Sequence, residues 1–396
     1  MSLFNPAVAA TFSPPVMEAR RWLSGVDFPP DRPLINVSQA APVDPPPHAL
    51  RRAIADAALT RDDVHLYGPV LGNADLRDAL AQFWADSYGA RVSPANVAIT
   101  QGCNQAFCAA IATLAGAGDE VILPVPFYFN HKMWLDIAGV RTVPLVSDDA
   151  MLPDLDQAAS LIGSRTRALV LVTPNNPTGA EYPPEFMRAA YDLCQRHGIA
   201  LILDETYRDF HGSAAPGVSP PHDLLTHPGH NDTVIQLYSF SKAYRLTGHR
   251  VGALIASERR MVEVEKWLDT VAISTSQLGQ IGALYGLGHL RDWVAGERLE
   301  ILARRRATET AFAGLNGWIL KSCGAYFAWV RHPFAASSAD LAPRLVREAG
   351  VLALPGTMFM PADVGDGGTR HFRFAFANAD AQGIANLAAR LREFAA

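Results

Sequence analysis

Four side chains that can do chemistry lie within twelve residues, directly after an apolar run, 234–237, that is typical of a buried strand. Lys242 is flanked by Ser239 and Ser241, and Arg250 follows eight residues later. A lysine beside a buried strand loses its proton readily and becomes a nucleophile that forms Schiff bases, and a planar guanidinium suits a phosphate dianion. This combination indicates pyridoxal phosphate (PLP). The alternative is a surface turn rich in serine and lysine.

A second candidate site follows the short predicted strand 97–100. Gly102, Cys103 and Asn104 stand there at the start of a predicted helix. Open α/β sheets place their ligands at strand ends, and the backbone amides of a helix N-terminus bind anions. These three residues are therefore candidates for holding a phosphate group, with a plain tight turn as the alternative.

Two more strand ends carry polar side chains. The turn 174–179, rich in proline, holds Asn176, and the apolar run 199–203 is followed by Asp204 and Tyr207. A carboxylate at the end of a buried strand needs a cationic or hydrogen-bonding partner. A protonated pyridine nitrogen is such a partner for Asp204, and Tyr207 can donate to a phenolate oxygen. The alternatives are a turn-forming asparagine and an aspartate that caps the next helix.

An aromatic segment and a buried arginine complete the set of candidates. The segment 126–131 contains Tyr128, whose ring can stack on a heteroaromatic ring, although aromatic residues are more often core. Arg373 lies inside the apolar strand 372–376, where a guanidinium without an anion is costly. A substrate carboxylate is a natural bidentate partner; the alternative is a structural ion pair.

Strands and helices alternate from residue 97 onwards. The runs 168–172 and 199–203 are continuously apolar, which is typical of parallel strands covered on both faces. A predicted helix over 184–197 joins them as a βαβ unit requires. Residues 49–288 are therefore predicted to form a large, doubly wound, mostly parallel α/β domain that binds the cofactor.

Beyond that domain the pattern changes. A long helix is predicted over 291–315, with the arginines 304–306 on a solvated face. Strands and two helices follow, so 289–396 are predicted to form a smaller α+β domain. Residues 1–48 are rich in proline and are expected to be an extended arm with one helix near 16–23, contributing to the small domain.

Composition excludes several classes of protein. The 396 residues carry a net charge of −5, which argues against a nucleic-acid partner. No apolar run approaches the roughly 20 residues of a membrane helix, and no signal peptide is visible. The four cysteines fit neither a zinc site nor a disulfide framework. We therefore expect a cytoplasmic protein with no membrane partner.

Four histidines between residues 211 and 230 are a possible metal site, because histidine is a common metal ligand. His211, His222, His227 and His230 lack regular ligand spacing, however, and several prolines interrupt the segment. We interpret it as a solvated loop and expect no metal.

Taken in order, these motifs resemble those of the class I/II aminotransferases, the aspartate-aminotransferase-like PLP enzymes of fold type I, over roughly residues 30–390. The matching positions are Tyr67, Gly102, Tyr128, Asn176, Asp204, Tyr207, Ser239, Ser241, Lys242, Arg250 and Arg373. The resemblance implies that Lys242 holds PLP as a Schiff base and that Asp204 pairs with the ring nitrogen. It also implies that Tyr128 stacks on the ring, while Asn176 and Tyr207 bond the ring hydroxyl.

The resemblance assigns the remaining groups as well. The phosphate would be held by the amides of residues 102–104 (Gly102, Cys103, Asn104), by Ser239, Ser241 and Arg250, and by Tyr67 of the neighbouring subunit. A homodimer with shared active sites follows from that last contact. Arg373 would bind the substrate carboxylate with Asn176 and Ala41 nearby, and His131 falls where some members place a histidine behind the aspartate. Lys242, Asp204 and Tyr207 would carry the catalysis.

Three departures from the family pattern bear on specificity. Residues 39–42 read Gln-Ala-Ala-Pro where many relatives have a glycine, so we expect an extra methyl group to narrow the site. Cys103 and Asn104 stand where small or hydroxyl residues are common. No arginine occurs between Arg260 and Arg291, although members specific for dicarboxylates can use one from the partner there. The last point disfavours aspartate as the amino donor.

The implied activity is transfer of an amino group from an L-amino acid to a 2-oxo acid by a ping-pong mechanism. One rival is a lyase that performs β-elimination or cyclisation with the same cofactor. The other is a PLP-binding regulatory domain, which would require an additional DNA-binding domain where this chain has only a proline-rich arm.

Overall fold

The computed structural model describes residues 3–214 and 219–395. Its strands are β1 (Ile35–Asn36), β2 (Val97–Thr100), β3 (Glu120–Val125), β4 (Arg141–Val146), β5 (Thr166–Val172), β6 (Ala200–Asp204), β7 (Val234–Ser239), β8 (Gly252–Ile255), β9 (Ile319–Gly324), β10 (Phe327–Arg331), β11 (Val351–Leu352), β12 (Leu354–Pro355) and β13 (His371–Ala375).

The helices bracket these strands. They are α1 (Pro6–Ala10), α2 (Pro15–Arg21), α3 (His48–Thr60), α4 (Ala74–Tyr88), α5 (Cys103–Ala112), α6 (Phe129–Ile137), α7 (Leu155–Leu161), α8 (Pro184–His197), α9 (His230–Thr233), α10 (Phe240–Ala243), α11 (Glu258–Ala272), α12 (Gln277–His289), α13 (Arg291–Phe312), α14 (Ser338–Arg344) and α15 (Ala381–Glu393).

A seven-stranded sheet in the order β2-β8-β7-β6-β5-β3-β4 forms the centre of the molecule. All its strands are parallel to their neighbours except β8, which runs antiparallel to both β2 and β7. Every residue of β5 except Arg167, and every residue of β6 and β7, is buried, which explains the continuous apolar runs in the sequence. The predicted mostly parallel α/β fold is confirmed.

The register of the sheet aligns the predicted site residues. Val172 of β5 is paired with Asp204 of β6, and Asp204 is paired with Leu237 of β7. Parallel strands end at the same edge of a sheet, so the turn that contains Asn176, the Asp204 carboxylate and the Lys242 segment all emerge together.

A second, antiparallel sheet has the order β12-β13-β10-β9 and packs beside the first. Strand β1 of the N-terminal arm pairs in parallel with β11. The next residue, Val37, accepts a hydrogen bond from the amide of Ala375, the last residue of β13. The arm is thereby joined to the C-terminal part of the chain, and it passes close to Arg373.

Three sequence expectations about local structure were wrong. The arm contains two helices, α1 and α2, rather than one. Arg304 donates to the carbonyl of Ala377 and Arg305 donates to Glu181, so both are half-buried instead of solvated. These partners lie far away in the sequence, and no local charge pattern reveals them.

The prediction of a solvated loop was also wrong for two of the four histidines, while residues 215–218 of that segment lie outside the described residues. His211 and His222 are 4% and 2% exposed, and their ring nitrogens lie 3.3 Å from Glu181 and 3.2 Å from Glu205. Within the described ranges, no three metal-ligating side chains come together as a metal site would require. None of the helices in those ranges has the length and hydropathy needed to cross a membrane.

Candidate active site

A cavity of about 130 Å³ opens at the carboxyl edge of the central sheet, where β2, β5, β6 and β7 end. Its walls contain most of the predicted site residues, which are Cys103, Asn104, Tyr128, Asn176, Asp204, Tyr207, Ser239, Ser241, Lys242 and Arg250. These residues come from separate segments of the chain. The convergence of polar and titratable groups in one cleft is typical of an active site.

Lys242 lies in the short helix α10, which the Ser239 side chain caps by accepting from the amide of Ser241. The Lys242 Nζ donates to the carbonyl oxygen of Ala40 at 2.6 Å and lies 5.7 Å from the centre of the Tyr207 ring. Burial, aided by the charges of Arg250 and Arg373, lowers the pKa of Lys242 from 10.5 to about 8. About a tenth of the amine is therefore neutral and nucleophilic at pH 7, far more than for an ordinary lysine.

Asp204 is buried at the floor of the cleft. Its Oδ2 lies 3.2 Å from His131 Nε2, and its Oδ1 accepts from the amide of Thr206 at 3.0 Å. Burial alone raises the pKa of a carboxyl group, but the hydrogen bonds and charge of His131 and the bonds from Thr206 hold the pKa of Asp204 below its ordinary value. The group remains a carboxylate and can bind a protonated nitrogen.

An anion cradle forms where α5 begins. Gly102 has φ of 80°, and a Cβ at that position would collide with the guanidinium of Arg250. Arg250 is itself in the left-handed region with φ of 53°, and it donates to the carbonyl of Thr247 at 3.1 Å. Strained residues of this kind concentrate at functional sites. The amides at the start of α5 and the Arg250 fork together present a positive concavity.

Arg373 lies beside the cleft, in contact with Asn176 of the cavity wall. Its Nη1 donates to Asn176 Oδ1 at 2.9 Å and its Nη2 donates to the carbonyl of Ser38, whereas its buried Nε finds no acceptor among the residues that the structure describes. Burial lowers the pKa of Arg373 to about 10. An incompletely satisfied buried guanidinium is costly unless an anion binds it, so this side chain can receive a carboxylate.

Aromatic rings line the cavity on both sides. The His131 ring stacks on Phe107 with centroids 3.9 Å apart and meets the edge of Tyr128 at 5.0 Å. The Tyr128 hydroxyl lies 3.4 Å from Asn104 Oδ1 and accepts from Asn130 at 3.1 Å. This packing fixes the Tyr128 ring next to the carboxylate. Burial raises the pKa of Tyr207 well above its usual range, so its phenol stays protonated.

Four predicted residues do not line the cavity itself. Gly102 directly precedes Cys103 of the wall, and Arg373 donates to Asn176 of the wall. Tyr67 is 80% exposed, and Ala41 is only half-buried, while the neighbouring Ala40 supplies the carbonyl that receives Lys242. The sequence did not predict three contacts of the site residues. These are the Ala40 carbonyl at Lys242, the Ser38 carbonyl at Arg373 and the Thr206 amide at Asp204. Of these, only Thr206 carried a signal, since it stands two residues after a strand-end aspartate.

The geometry fits PLP. The anion cradle suits the phosphate, the Asp204 carboxylate suits a protonated ring nitrogen, and the neutral fraction of Lys242 suits a Schiff base. The unsatisfied Arg373 Nε suits the carboxylate of an amino acid. This fold with this site defines a PLP-dependent enzyme of fold type I.

Comparison with known proteins identifies the family. The model for aminotransferase class I and II matches residues 32–391, so the chain belongs to that family of PLP-dependent aminotransferases. The aspartate/prephenate aminotransferase of Thermus thermophilus is 30% identical over 372 residues, covering 90% of this chain and 89% of that protein. The LL-diaminopimelate aminotransferase of Aquifex aeolicus is 26% identical over 350 residues, 86% of this chain and 87% of that protein.

A solved structure shows the same architecture. The crystal structure of a single mutant of Thermus thermophilus aspartate aminotransferase superposes with a TM-score of 0.87 at 25% identity, covering 99% of this chain and 100% of that one. The predicted family, fold, cofactor and enzyme class are therefore confirmed.

Proposed function

We propose that this aminotransferase works at the cleft around Lys242, where it takes an amino group from an L-amino acid and passes it to a 2-oxo acid in two half-reactions. The observation that carries the proposal is a buried lysine of lowered pKa that shares one cavity with the Asp204 carboxylate and the Arg250 guanidinium. When bound, PLP supplies an electron sink for the bond that breaks at the substrate Cα. The chain's own residues bind the cofactor, hold the substrate and transfer the proton.

The chain holds the cofactor with groups of matched charge. Arg250 and the amides of residues 102–104 would hold its phosphate with the hydroxyls of Ser239 and Ser241, and Asp204 would bind the ring nitrogen. Asn176 and Tyr207 would donate to the ring hydroxyl, and Tyr128 would stack on the ring. Support comes from the fact that all these polar groups except Gly102 line the same cavity.

Lys242 and Arg373 act on the substrate. Lys242 would first carry the cofactor, and once released it would be a free amine whose Nζ takes the proton from the substrate Cα and delivers it to the cofactor. The second half-reaction would reverse this proton transfer. Arg373 binds the substrate carboxylate and Asn176 orients it, which holds the breaking bond in one direction. Support comes from the hydrogen bond that Arg373 Nη1 already donates to Asn176 Oδ1, which keeps the two side chains together.

We propose a donor with a neutral side chain rather than aspartate. Lys242, Arg250 and Arg373 are the cations whose charges meet in the described part of the cleft, and each has a role above. The relatives' names include aspartate, prephenate and LL-diaminopimelate, so similarity to them does not indicate one particular substrate. A panel of single amino acids tests this: a neutral donor should give the highest kcat/KM, and a preference for aspartate would contradict the proposal.

We also propose a homodimer in which Tyr67 reaches the phosphate site of the partner. Tyr67 and Leu66 are 80% and 68% exposed, and Ile273 is 43% exposed. These residues are neighbours, because the amide of Gly68 donates to Ser274. An exposed apolar patch of this kind is typical of an interface, and a second copy of the chain would cover it while completing the site.

Subunit exchange tests the shared site. Lys242→Ala and Tyr67→Ala subunits are each expected to be strongly impaired, and mixing them should restore activity because one site of each hybrid dimer is then intact. No recovery after verified exchange would contradict the shared site. A cytoplasmic location is part of the same proposal, supported by four cysteines that are all unpaired.

Product analysis tests the reaction itself. Incubation of the PLP-loaded enzyme with a donor should release one 2-oxo acid for each amino group that the enzyme retains, and an added 2-oxo acid should recover that group as a new amino acid. Release of ammonia would instead favour the lyase on the same fold.

A further inference from the structure

Besides His131 and Thr206, the Asp204 carboxylate has a further donor that neither the family pattern nor the sequence assigned. The Cys103 thiol lies on the first residue of α5, and its Sγ is 3.5 Å from Asp204 Oδ1. The amide of Thr206 donates to the same oxygen at 3.0 Å, while His131 faces the other oxygen. Cys103 therefore shares the oxygen that already accepts from the backbone.

We propose that Cys103 is a positioning residue whose thiol donates a hydrogen bond to Asp204 and thereby sets the basicity of the carboxylate that faces the cofactor's ring nitrogen. This inference rests on the proposed role of Asp204. It goes further because it assigns the Cys103 side chain a function toward Asp204, whereas the family resemblance implies only a phosphate contact at this position.

The thiol keeps its proton in this setting. Burial raises the pKa of the Cys103 thiol well above its ordinary value, and the nearby Asp204 charge raises it further. The group is therefore a neutral S–H donor at physiological pH rather than a second anion beside the carboxylate. Cys103 is 8% exposed, so solvent does not replace it as the donor.

The backbone prevents Cys103 from moving away. A Cβ at Gly252 in β8 would lie 2.5 Å from the carbonyl carbon of Gly102 and 2.6 Å from the amide nitrogen of Cys103. The loop thus packs directly on the backbone of β8, which leaves no room for it to withdraw. The backbone that carries the Cys103 side chain is consequently held in place beside Asp204.

A graded series of substitutions follows from the strength of the donor. Serine is a stronger donor than cysteine and alanine has none, so the basicity of Asp204 should increase in the order Ser, Cys, Ala at position 103. A more basic carboxylate draws the shared proton further from the ring nitrogen. A purely structural role would not produce this order, because serine and alanine both leave space in a site that fits cysteine.

The test uses PLP labelled with ¹⁵N in the ring, bound to the wild type, Cys103→Ser and Cys103→Ala. The ring ¹⁵N resonance of the wild type should lie between those of the variants, with alanine nearest to neutral pyridine and serine nearest to pyridinium. Cys108→Ala is the matched control, because Cys108 lies on the same helix without a bond to Asp204. Equal shifts in all four proteins, or a wild type outside the interval, would overturn the proposal.

A second measurement needs no cofactor. The S–H stretching band of Cys103, isolated by subtracting the infrared spectrum of Cys103→Ala, should move to higher frequency in Asp204→Asn because the neutral amide is a weaker acceptor. An unchanged band would overturn the contact. Failure of the proposed function has a different signature, since PLP would then not attach to Lys242 in the wild type at all.

Discussion

Asp204 and Glu205 are adjacent, both buried, and point to opposite sides of the sheet. Glu205 accepts from the Tyr88 hydroxyl at 2.7 and 2.8 Å and from Gln236, and it lies 3.2 Å from His222. Its acceptor capacity is filled by the protein. Asp204 has His131, Thr206 and Cys103 as donors, the last of them a weak thiol, and it faces a cavity. The structural carboxylate is saturated, whereas the carboxylate in the cleft keeps capacity for a ligand.

A lowered pKa does not separate the two groups. Burial alone would raise the pKa of both carboxyl groups. The charge and hydrogen bond of His222 nevertheless hold the pKa of Glu205 low, and those of His131 do the same for Asp204. Both stay ionised at neutral pH. What differs is the set of partners, so incomplete satisfaction of a buried group is the better sign of function.

Asp204→Asn should separate the roles of the two carboxylates most clearly. The variant loses the charge that binds the ring nitrogen, and kcat is expected to fall by about 10²–10³-fold. Its thermal midpoint should change little, because Asp204 is not fully used by the fold. Steady-state kinetics and thermal unfolding of the same preparation measure both. A large loss of stability with unaltered kcat would reverse the roles assigned to the two carboxylates.

Arg373→Lys tests the same distinction on a cation, because the buried Nε of Arg373 has no acceptor among the described residues. Lysine cannot reproduce the planar fork, so kcat/KM should fall about a hundredfold, equivalent to about 2.7 kcal/mol. The matched control is Arg370→Lys, three residues earlier, whose guanidinium bonds the carbonyl of His332 outside the cleft. Equal losses in both variants would show that Arg373 is merely structural.

Glu205→Gln should show the opposite pattern to Asp204→Asn. It removes the charge from a saturated site and leaves donors from Tyr88, Gln236 and His222 mismatched, which is expected to cost about 3 kcal/mol of unfolding free energy. The kcat of the folded fraction should stay within a few-fold of the wild type. Tyr88→Phe is the milder companion, at about 1 kcal/mol. Denaturant unfolding gives both values, and a Glu205→Gln variant that is stable but has a low kcat would refute the distinction.

The smallest of the predicted effects is the pH dependence of the rate at which PLP attaches to Lys242. Only the neutral amine of Lys242 reacts, and its pKa is lowered to about 8. The rate of PLP attachment to the apoprotein should therefore rise with pH up to about 8 and level off above it, falling about tenfold per pH unit below. Stopped-flow absorbance measures this rate. A midpoint near 10.5, the ordinary value for lysine, would contradict the buried setting.

The sequence predicted which residues meet in the cavity, but not which partners they bond. Lys242, Asp204 and Asn176 follow buried strands whose apolar runs are visible locally, and parallel strands bring their ends together. The partners of those residues were not predictable. The bond from Cys103 to Asp204 joins residues 101 positions apart, and the bond from Arg373 to Ser38 spans 335.

The burial of polar side chains outside the site was harder to predict for the same reason. His222 and Arg305 appeared to be solvated, because polar residues in a segment rich in loops usually are. Each has a carboxylate partner that only the tertiary structure supplies, Glu205 for His222 and Glu181 for Arg305. Burial of a polar side chain is decided by such distant partners, and a single sequence contains no local sign of them.

The central claim is that Lys242 carries PLP and that this cleft keeps the amino group between two half-reactions. The most direct test is the visible absorption spectrum of the PLP-loaded enzyme during addition of single L-amino acids, beside Lys242→Ala. We predict a band in the wild type that a suitable amino acid bleaches and a 2-oxo acid restores, and its absence in Lys242→Ala. A wild type that shows no band after incubation with PLP, or a Lys242→Ala variant with the same band, would contradict the account.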